Sequence, residues 1–127
     1  MAKIYYVGDW AVLTGPVFGT LMLTYRCNNA CAMCDYPRRG VADASAGRRE
    51  MDTDQIRTLL EDFAAIGTTG MALIGGEPTL RPDLDEILRT VKRLGMIANI
   101  TTNGSMLADE HRAAALLRTG IDLINFS

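Results

Sequence analysis

The sequence contains a single histidine, few aromatic residues and no long hydrophobic run. Histidine occurs once among the 127 residues, at His111, and aromatic side chains make up 6%. No uninterrupted apolar stretch approaches the roughly 20 residues that a membrane-spanning helix requires. The formal net charge of −2 gives no broad electrostatic attraction toward nucleic acid or an anionic membrane surface. We therefore expect neither a membrane span nor a nucleic-acid partner.

The N-terminal segment does not have the pattern of a secretory signal. It carries one lysine, its apolar residues are interrupted by Asp9, and no small-residue cleavage box follows a hydrophobic stretch. This favours a cytoplasmic, reducing location, in which cysteines stay as thiols or bind metal.

Cysteine is also scarce, but its three occurrences fall within one short stretch, RCNNACAMCDYP at residues 26–37. Cys27, Cys31 and Cys34 form a C-x3-C-x2-C pattern. A structural zinc ion needs four ligands, usually in two separated pairs, and the distant His111 does not complete such a set. A [4Fe–4S] cluster also ordinarily takes four thiolates, so three leave one iron without a protein ligand. The pattern favours an iron–sulfur cluster that binds a small molecule at its open iron.

Two alternatives for the cysteines stay open. An iron–sulfur protein could relay electrons or sense redox state without any chemistry on a small molecule. A zinc-bound module, or a metal-free one with buried thiols, would hold neither iron nor sulfide. The polar neighbours Asn28, Asn29 and Asp35 argue against buried thiols, because such residues are mostly exposed.

The rest of the chain alternates short apolar segments with amphipathic ones. Asp52 and Gln55 form a capping-box pattern ahead of apolar residues at helical spacing. Gly70, Gly95 and Gly120 recur at a constant interval, and each precedes an apolar segment. This predicts an α/β fold with four parallel strands, three connecting helices and right-handed crossovers. The strands are predicted at 17–26, 71–74, 96–101 and 121–127, the helices after Asp52 and at 81–95 and 107–120, and a loop at 38–50.

The predicted strands are too few for a closed barrel. An eight-unit βα barrel runs to about 250 residues, and the last predicted strand runs to Ser127. We predict an N-terminal extension over 1–16 and, over 17–127, the N-terminal part of a longer domain. The alternative is a small open α/β sheet that is completed by a partner or by a second copy.

Four motifs, in this order, resemble those of the radical S-adenosylmethionine (SAM) superfamily: CNNACAMC, GGEP at 75–78, TTNG at 101–104 and INFS at 124–127. The resemblance spans residues 20–127, and GGEPTLRPDL is most similar to the branch of peptide-modifying maturases and cofactor-biosynthesis enzymes. It implies about four of the six βα units of a (βα)6 partial TIM barrel. It also implies a [4Fe–4S] cluster, SAM, and an external one-electron reductant of the flavodoxin or ferredoxin type. The expected reaction is reductive cleavage of SAM to a 5′-deoxyadenosyl radical, which abstracts a hydrogen atom from a peptide or small molecule.

The resemblance also implies a set of site residues. Cys27, Cys31 and Cys34 would hold the cluster, and no side chain is assigned as catalytic. Glu77 would accept from the ammonium group of SAM. Met33 replaces the aromatic residue that is usual before the last cysteine. Its soft, apolar side chain could contact the adenine of SAM instead. The residues expected to bind SAM are Met33, Gly75, Gly76, Glu77, Pro78, Thr102, Asn103, Asn125 and Ser127.

Two positions bear on the substrate. Enzymes of the cyclic pyranopterin pathway share GGEP and TNG but carry arginines for a triphosphate in the first strand and before the glycines of the second. This chain has Thr20 and Ala72 at such places, so we expect a substrate other than GTP.

Further predictions concern charged residues outside these motifs. We expect Arg81 to pair with Asp85 at the start of a helix, and His111 to be a solvated surface residue. The segment after the cysteines is a solvated basic loop or a site for an acidic or phosphorylated substrate. Its basic residues are Arg38, Arg39, Arg48 and Arg49.

Overall fold

The computed structural model describes residues 4–7, 10–13, 16–47 and 49–127, with the backbone alone for the first two ranges and for residues 37, 43 and 44. The strands are β1 Ile4–Val7, β2 Trp10–Leu13, β3 Phe18–Met22, β4 Gly70–Ile74, β5 Ile97–Thr102 and β6 Leu123–Phe126. The helices are α1 Tyr36–Ser45, α2 Thr53–Ala65, α3 Leu84–Arg93 and α4 Glu110–Leu117, with 3-10 turns at Pro78–Leu80 and Ser105–Ala108.

The main sheet has four parallel strands in the order β3-β4-β5-β6. This confirms the predicted α/β class and the four parallel strands. Strands β1 and β2 pair with each other antiparallel in a separate two-stranded sheet. The sequence predicts only an extension over residues 1–16, so this pair of strands is not predicted.

The hydrophobic core lies between one face of the sheet and the helices. Leu73 and Ile100 on adjacent strands are fully buried and belong to one cluster with Leu60 of α2 and Leu88 of α3. Full burial of each such side chain stabilises the fold by about 1.5–3 kcal/mol. No helix in the described ranges is both long enough and apolar enough to cross a membrane.

The other face of the sheet is more polar and more exposed. Because side chains alternate between the two faces of a strand, the register places Thr20, Ala72 and Asn99 side by side on this face. All three are exposed or half-buried. Asn125 of β6 lies on the same face, since its side-chain amide donates to Asn99 Oδ1 at 3.0 Å. We call this surface the polar face of the sheet.

The ends of the helices follow from local sequence signals. The predicted capping box is confirmed, since Asp52 accepts from the Gln55 backbone at 2.9 Å and Gln55 accepts from the Asp52 backbone at 3.0 Å. Gly95 and Gly120 end helices with φ of +77° and +81°, a region that favours glycine. Gly70 does not share this role, because it lies inside β4 and α2 is ended by Gly67.

The predicted loop at 38–50 is wrong over much of its length, because residues Tyr36–Ser45 form α1. Tertiary contacts rather than apolar periodicity support this helix. The ring of Tyr36 packs edge-on against Tyr25, with the ring centroids 5.8 Å apart. A Cβ on Gly40 would lie 3.3 Å from the Tyr25 carbonyl oxygen, so this helix runs close to the preceding chain. Such long-range packing leaves no local sequence signal.

The predicted pairing of Arg81 with Asp85 is also wrong. Arg81 is 6% exposed and forms a two-bond ion pair with Asp83, at 2.9 and 2.6 Å. Its guanidinium also donates to the carbonyls of Leu23 and Met51, at 3.0 and 3.1 Å. Asp85 instead pairs with Arg112, at 2.7 Å. Arg81 thus joins the segments after β3, before α2 and before α3.

The Arg81–Asp83 ion pair should make the free energy of unfolding depend on pH in the acidic range. The hydrogen bond from Arg81, with a further one from Thr53, lowers the pKa of Asp83 below its usual value. The stabilisation is therefore complete above the unfolded-state pKa of about 3.9 and is lost as the pH falls below it. Urea unfolding of the wild type and Asp83→Asn should give a free-energy difference that is present at pH 7 and shrinks below about pH 4. The exposed Asp62→Asn change is the control, and a difference constant down to pH 3 would contradict the assignment.

Candidate cluster and cofactor site

The three cysteines lie in the loop between β3 and α1, at the carboxyl end of β3. Parallel α/β sheets bind their ligands at this edge. All three are free thiols, with Cys31 exposed and Cys27 and Cys34 partly exposed. The backbone of the loop turns tightly, since the Cys34 amide donates to the Cys31 carbonyl at 3.0 Å. We call residues 27–34 the cluster loop.

The thiols of the cluster loop fit an iron–sulfur cluster by their chemistry. Thiolates are the ordinary ligands of such clusters, and none of the three cysteines is used in a disulfide. In the part of the chain that the structure describes, no three His, Cys, Asp or Glu side chains converge as ligands of one metal ion do. A cluster takes each thiolate on a different iron, so its ligands stand farther apart than those of a single ion.

The GGEP turn lies directly against the start of the cluster loop. The Gly76 amide donates to the Thr24 carbonyl at 2.7 Å, and the Glu77 amide donates to the Arg26 carbonyl at 2.8 Å. A Cβ on Gly75 would stand 2.5 Å from the Thr24 carbonyl oxygen, and one on Gly76 would stand 2.7 Å from that of Tyr25. The two glycines therefore allow two chain segments to approach closely.

The Glu77 carboxylate is fully buried and accepts four hydrogen bonds. Oε1 accepts from the Thr79 amide at 3.0 Å, the Thr79 hydroxyl at 2.5 Å and the Thr102 hydroxyl at 2.7 Å. Oε2 accepts from the Asn103 amide at 2.7 Å. Pro78 follows as the buried first residue of a 3-10 turn. Glu77 thus joins the GGEP turn to the TTNG turn after β5.

The TTNG turn reaches back to the cluster loop through Asn103. Its side-chain amide donates to Asn28 Oδ1 at 2.9 Å and lies 3.9 Å from Cys27 Sγ. Its own Oδ1 accepts from the Ser105 amide at 2.9 Å, and the Ser105 hydroxyl accepts from Asn28 Nδ2 at 2.7 Å. Gly104 has a φ of +76°, which suits glycine in this tight turn.

The other residues expected at the site are exposed. Met33 is 97% exposed on the cluster loop. Asn125 stands on the polar face beside Asn99, and Ser127 is held by its amide, which donates to the Thr102 carbonyl at 3.1 Å. His111 is exposed, as predicted.

The structure brings the cluster loop, the GGEP turn and the TTNG turn together at one edge of the sheet. Sequence reasoning missed Asn28, Thr79 and Ser105 as members of this group. Asn28 lies between the first two cysteines, and Thr79 directly follows GGEP, so position in a motif was the only available signal.

Three free thiols and two glycine-containing turns lie at one edge of a parallel α/β sheet, which is the edge where α/β proteins bind their cofactors. A family model described as the radical SAM superfamily matches residues 21–127. The chain belongs to this superfamily, which is a family of enzymes. Its cofactors are a [4Fe–4S] cluster and SAM, and the three free thiols fit this set.

Two curated relatives show which branches the chain resembles. It is 39% identical over 109 residues to a GTP 3′,8-cyclase of Lactiplantibacillus plantarum, covering 84% of this chain and 32% of that protein. It is 37% identical over 105 residues to a PqqA peptide cyclase of Gluconobacter oxydans, covering 83% of this chain and 28% of that protein. The chain therefore spans about a third or less of the length of these relatives.

A solved structure agrees with the fold. The crystal structure of BtrN in an open conformation matches with a TM-score of 0.67 and 25% identity, covering 85% of this chain and 48% of that one. Radical SAM enzymes of this kind have partial TIM barrels, which confirms the predicted architecture.

Proposed function

We propose that the protein is a radical SAM enzyme that cleaves SAM reductively and abstracts a hydrogen atom from its substrate. When bound, the cluster and SAM supply a 5′-deoxyadenosyl radical for that abstraction. The observation that carries the proposal is that the cluster loop, which holds three free thiols, meets the GGEP and TTNG turns in a chain of this superfamily.

The residues divide into cluster ligands, turn-forming residues and exposed contacts. Cys27, Cys31 and Cys34 would each hold one iron, leaving a fourth iron for the amino and carboxylate groups of SAM. The exposed side chains of Met33 and Asn125 are available to the rest of SAM. We propose the same role for Ser127, which follows β6 at the same edge as the TTNG turn.

The buried turn residues would act on SAM through the backbone. Four protein donors already occupy the Glu77 carboxylate, and the Thr102 hydroxyl is one of them. We propose that Glu77 and Thr102 hold the turns in place. Gly75, Gly76 and Pro78 would then present backbone groups to the ammonium of SAM.

We propose that the substrate is a peptide or small molecule without a triphosphate. A triphosphate is normally held by arginine and lysine side chains. The described strands of the parallel sheet, β3 to β6, contain neither residue type. Thr20 and Ala72 stand on the polar face, where the resemblance placed arginines in enzymes that act on GTP.

We also propose the extent of the domain, the source of the electron and the location of the enzyme. Residues 17–127 would be the N-terminal part, about four of six βα units, of a partial barrel that follows an N-terminal segment over 1–16. The electron would come from a separate flavodoxin or ferredoxin. The enzyme would work in the cytoplasm, where these thiols stay reduced.

The full-length protein, reconstituted anaerobically with iron and sulfide, should form 5′-deoxyadenosine when SAM and a strong reductant are added. A relay or sensor protein would show the cluster but form no 5′-deoxyadenosine and show no SAM-induced change in the spectrum of the cluster. A zinc-bound or metal-free module would bind neither iron nor sulfide. An intact cluster without 5′-deoxyadenosine would overturn the proposed reaction, and consumption of GTP would overturn the proposed substrate class.

A further inference from the structure

Cys27 differs from the other two cysteines because two N–H groups approach its sulfur. The Asn29 backbone amide donates to Cys27 Sγ at 3.4 Å. The side-chain amide of Asn103 lies 3.9 Å from the same sulfur, within reach of a hydrogen bond to this large acceptor atom. Asn103 comes from the far side of the site, 76 positions along the chain.

The position of Asn103 is fixed by three other contacts. Its backbone amide donates to the buried Glu77 carboxylate at 2.7 Å, and its Oδ1 accepts from the Ser105 amide at 2.9 Å. One N–H of its side-chain amide donates to Asn28 Oδ1 at 2.9 Å. A primary amide carries two N–H groups, so the second is free to point at Cys27 Sγ.

A hydrogen bond to a cluster thiolate changes the reduction potential of the cluster. A donor draws electron density from the sulfur and favours the more negative, reduced state, so the potential rises. The bond from Asn29 comes from the backbone and is kept in every side-chain variant. The bond from Asn103 depends on one side chain and can be removed by substitution.

We propose that the side-chain amide of Asn103 donates a hydrogen bond to the Cys27 thiolate and raises the reduction potential of the cluster held by that loop. Asn103 is then a positioning residue that acts on the cluster through Cys27. The inference rests on the proposed function only in requiring a bound cluster, since it concerns electron uptake and not the cleavage of SAM.

The test is an EPR-monitored redox titration of reconstituted full-length protein without SAM. Asn103→Ala should lower the equilibrium constant for one-electron reduction about tenfold, which is a midpoint about 59 mV more negative. Asn29→Ala is the matched control. It changes an exposed side chain of the cluster loop but keeps the backbone amide that donates to Cys27 Sγ and leaves the contacts of Asn103 in place, so its midpoint should equal that of the wild type.

A second variant provides the same test if Asn103→Ala loads its cluster poorly. Asn103→Asp keeps the Oδ1 acceptor and the backbone contact to Glu77 but lacks the N–H donor, so its midpoint should fall at least as far. A wild-type midpoint in either loaded variant would overturn the inference. Loss of the cluster from both variants, with circular dichroism spectra like that of the wild type, would also overturn it, since Asn103 would then hold the loop only. A wild-type protein that binds no iron would instead overturn the proposed function.

Discussion

Replacing Cys31 with alanine should remove the cluster from the protein and abolish formation of 5′-deoxyadenosine. Cys31 is the exposed member of the three free thiols, and the cluster loop offers no fourth cysteine to take its place. With two thiolates left, a four-iron cluster would have two irons without protein ligands. The measurements are iron and sulfide content after anaerobic reconstitution and 5′-deoxyadenosine after addition of SAM and reductant.

The matched control for this variant is Asn29→Ala in the same loop. Its side chain is exposed, and the backbone amide that donates to Cys27 is kept. This variant should load iron and sulfide as the wild type does. Full cluster content in Cys31→Ala would contradict the assignment of the three thiols as ligands, whatever the activity.

Replacing Glu77 with glutamine should destabilise the protein by about 2–4 kcal/mol, because a buried acceptor becomes a donor at one of two positions. The carboxylate accepts four hydrogen bonds through its two oxygens. Glutamine has one oxygen, and its NH₂ group would face either the Asn103 amide or the donors of Thr79 and Thr102. The measurement is the free energy of unfolding in urea.

The control for Glu77→Gln is Glu86→Gln on α3. The Glu86 side chain is 60% exposed and lies 3.8 Å from Arg57 in an ion pair, so this change should cost less than about 1 kcal/mol. The two variants also distinguish two roles for Glu77. If Glu77 contacted the ammonium of SAM directly, Glu77→Gln would keep its stability and lose SAM affinity, which would contradict the role in holding the turns.

The features predicted correctly from sequence depend on neighbouring residues. The Asp52 capping box and the helix-ending Gly95 need only a few adjacent positions, and the alternation of strands and helices sets the parallel sheet. The proposal that the three cysteines are cluster ligands also needs only local sequence, because they fall within one short motif. These local patterns sufficed for the fold class and for the candidate cluster ligands.

The features missed or mistaken depend on residues far apart in the chain. Helix α1 is supported by the packing of Tyr36 on Tyr25, which its own sequence does not reveal. Arg81 is followed in sequence by two carboxylates, Asp83 and Asp85, and only the fold shows which one it pairs with. The burial of Glu77 likewise depends on Thr102 and Asn103 at the end of β5, which the fold brings beside the end of β4.

The contacts of Asn103 also have a consequence for the order of events during folding. Asn103 follows β5 and Cys27 follows β3, and β4 lies between these two strands. The hydrogen bonds that join the cluster loop to the TTNG turn and Ser105 span 75 to 77 positions of chain. They close a long loop, and the entropy cost of closing it must be met before they form. The cluster loop and the TTNG turn can meet only after strands β3, β4 and β5 have aligned. We therefore expect the proposed iron-binding edge to assemble late in folding, so an incompletely folded chain would not have the arrangement that is proposed to receive the metal.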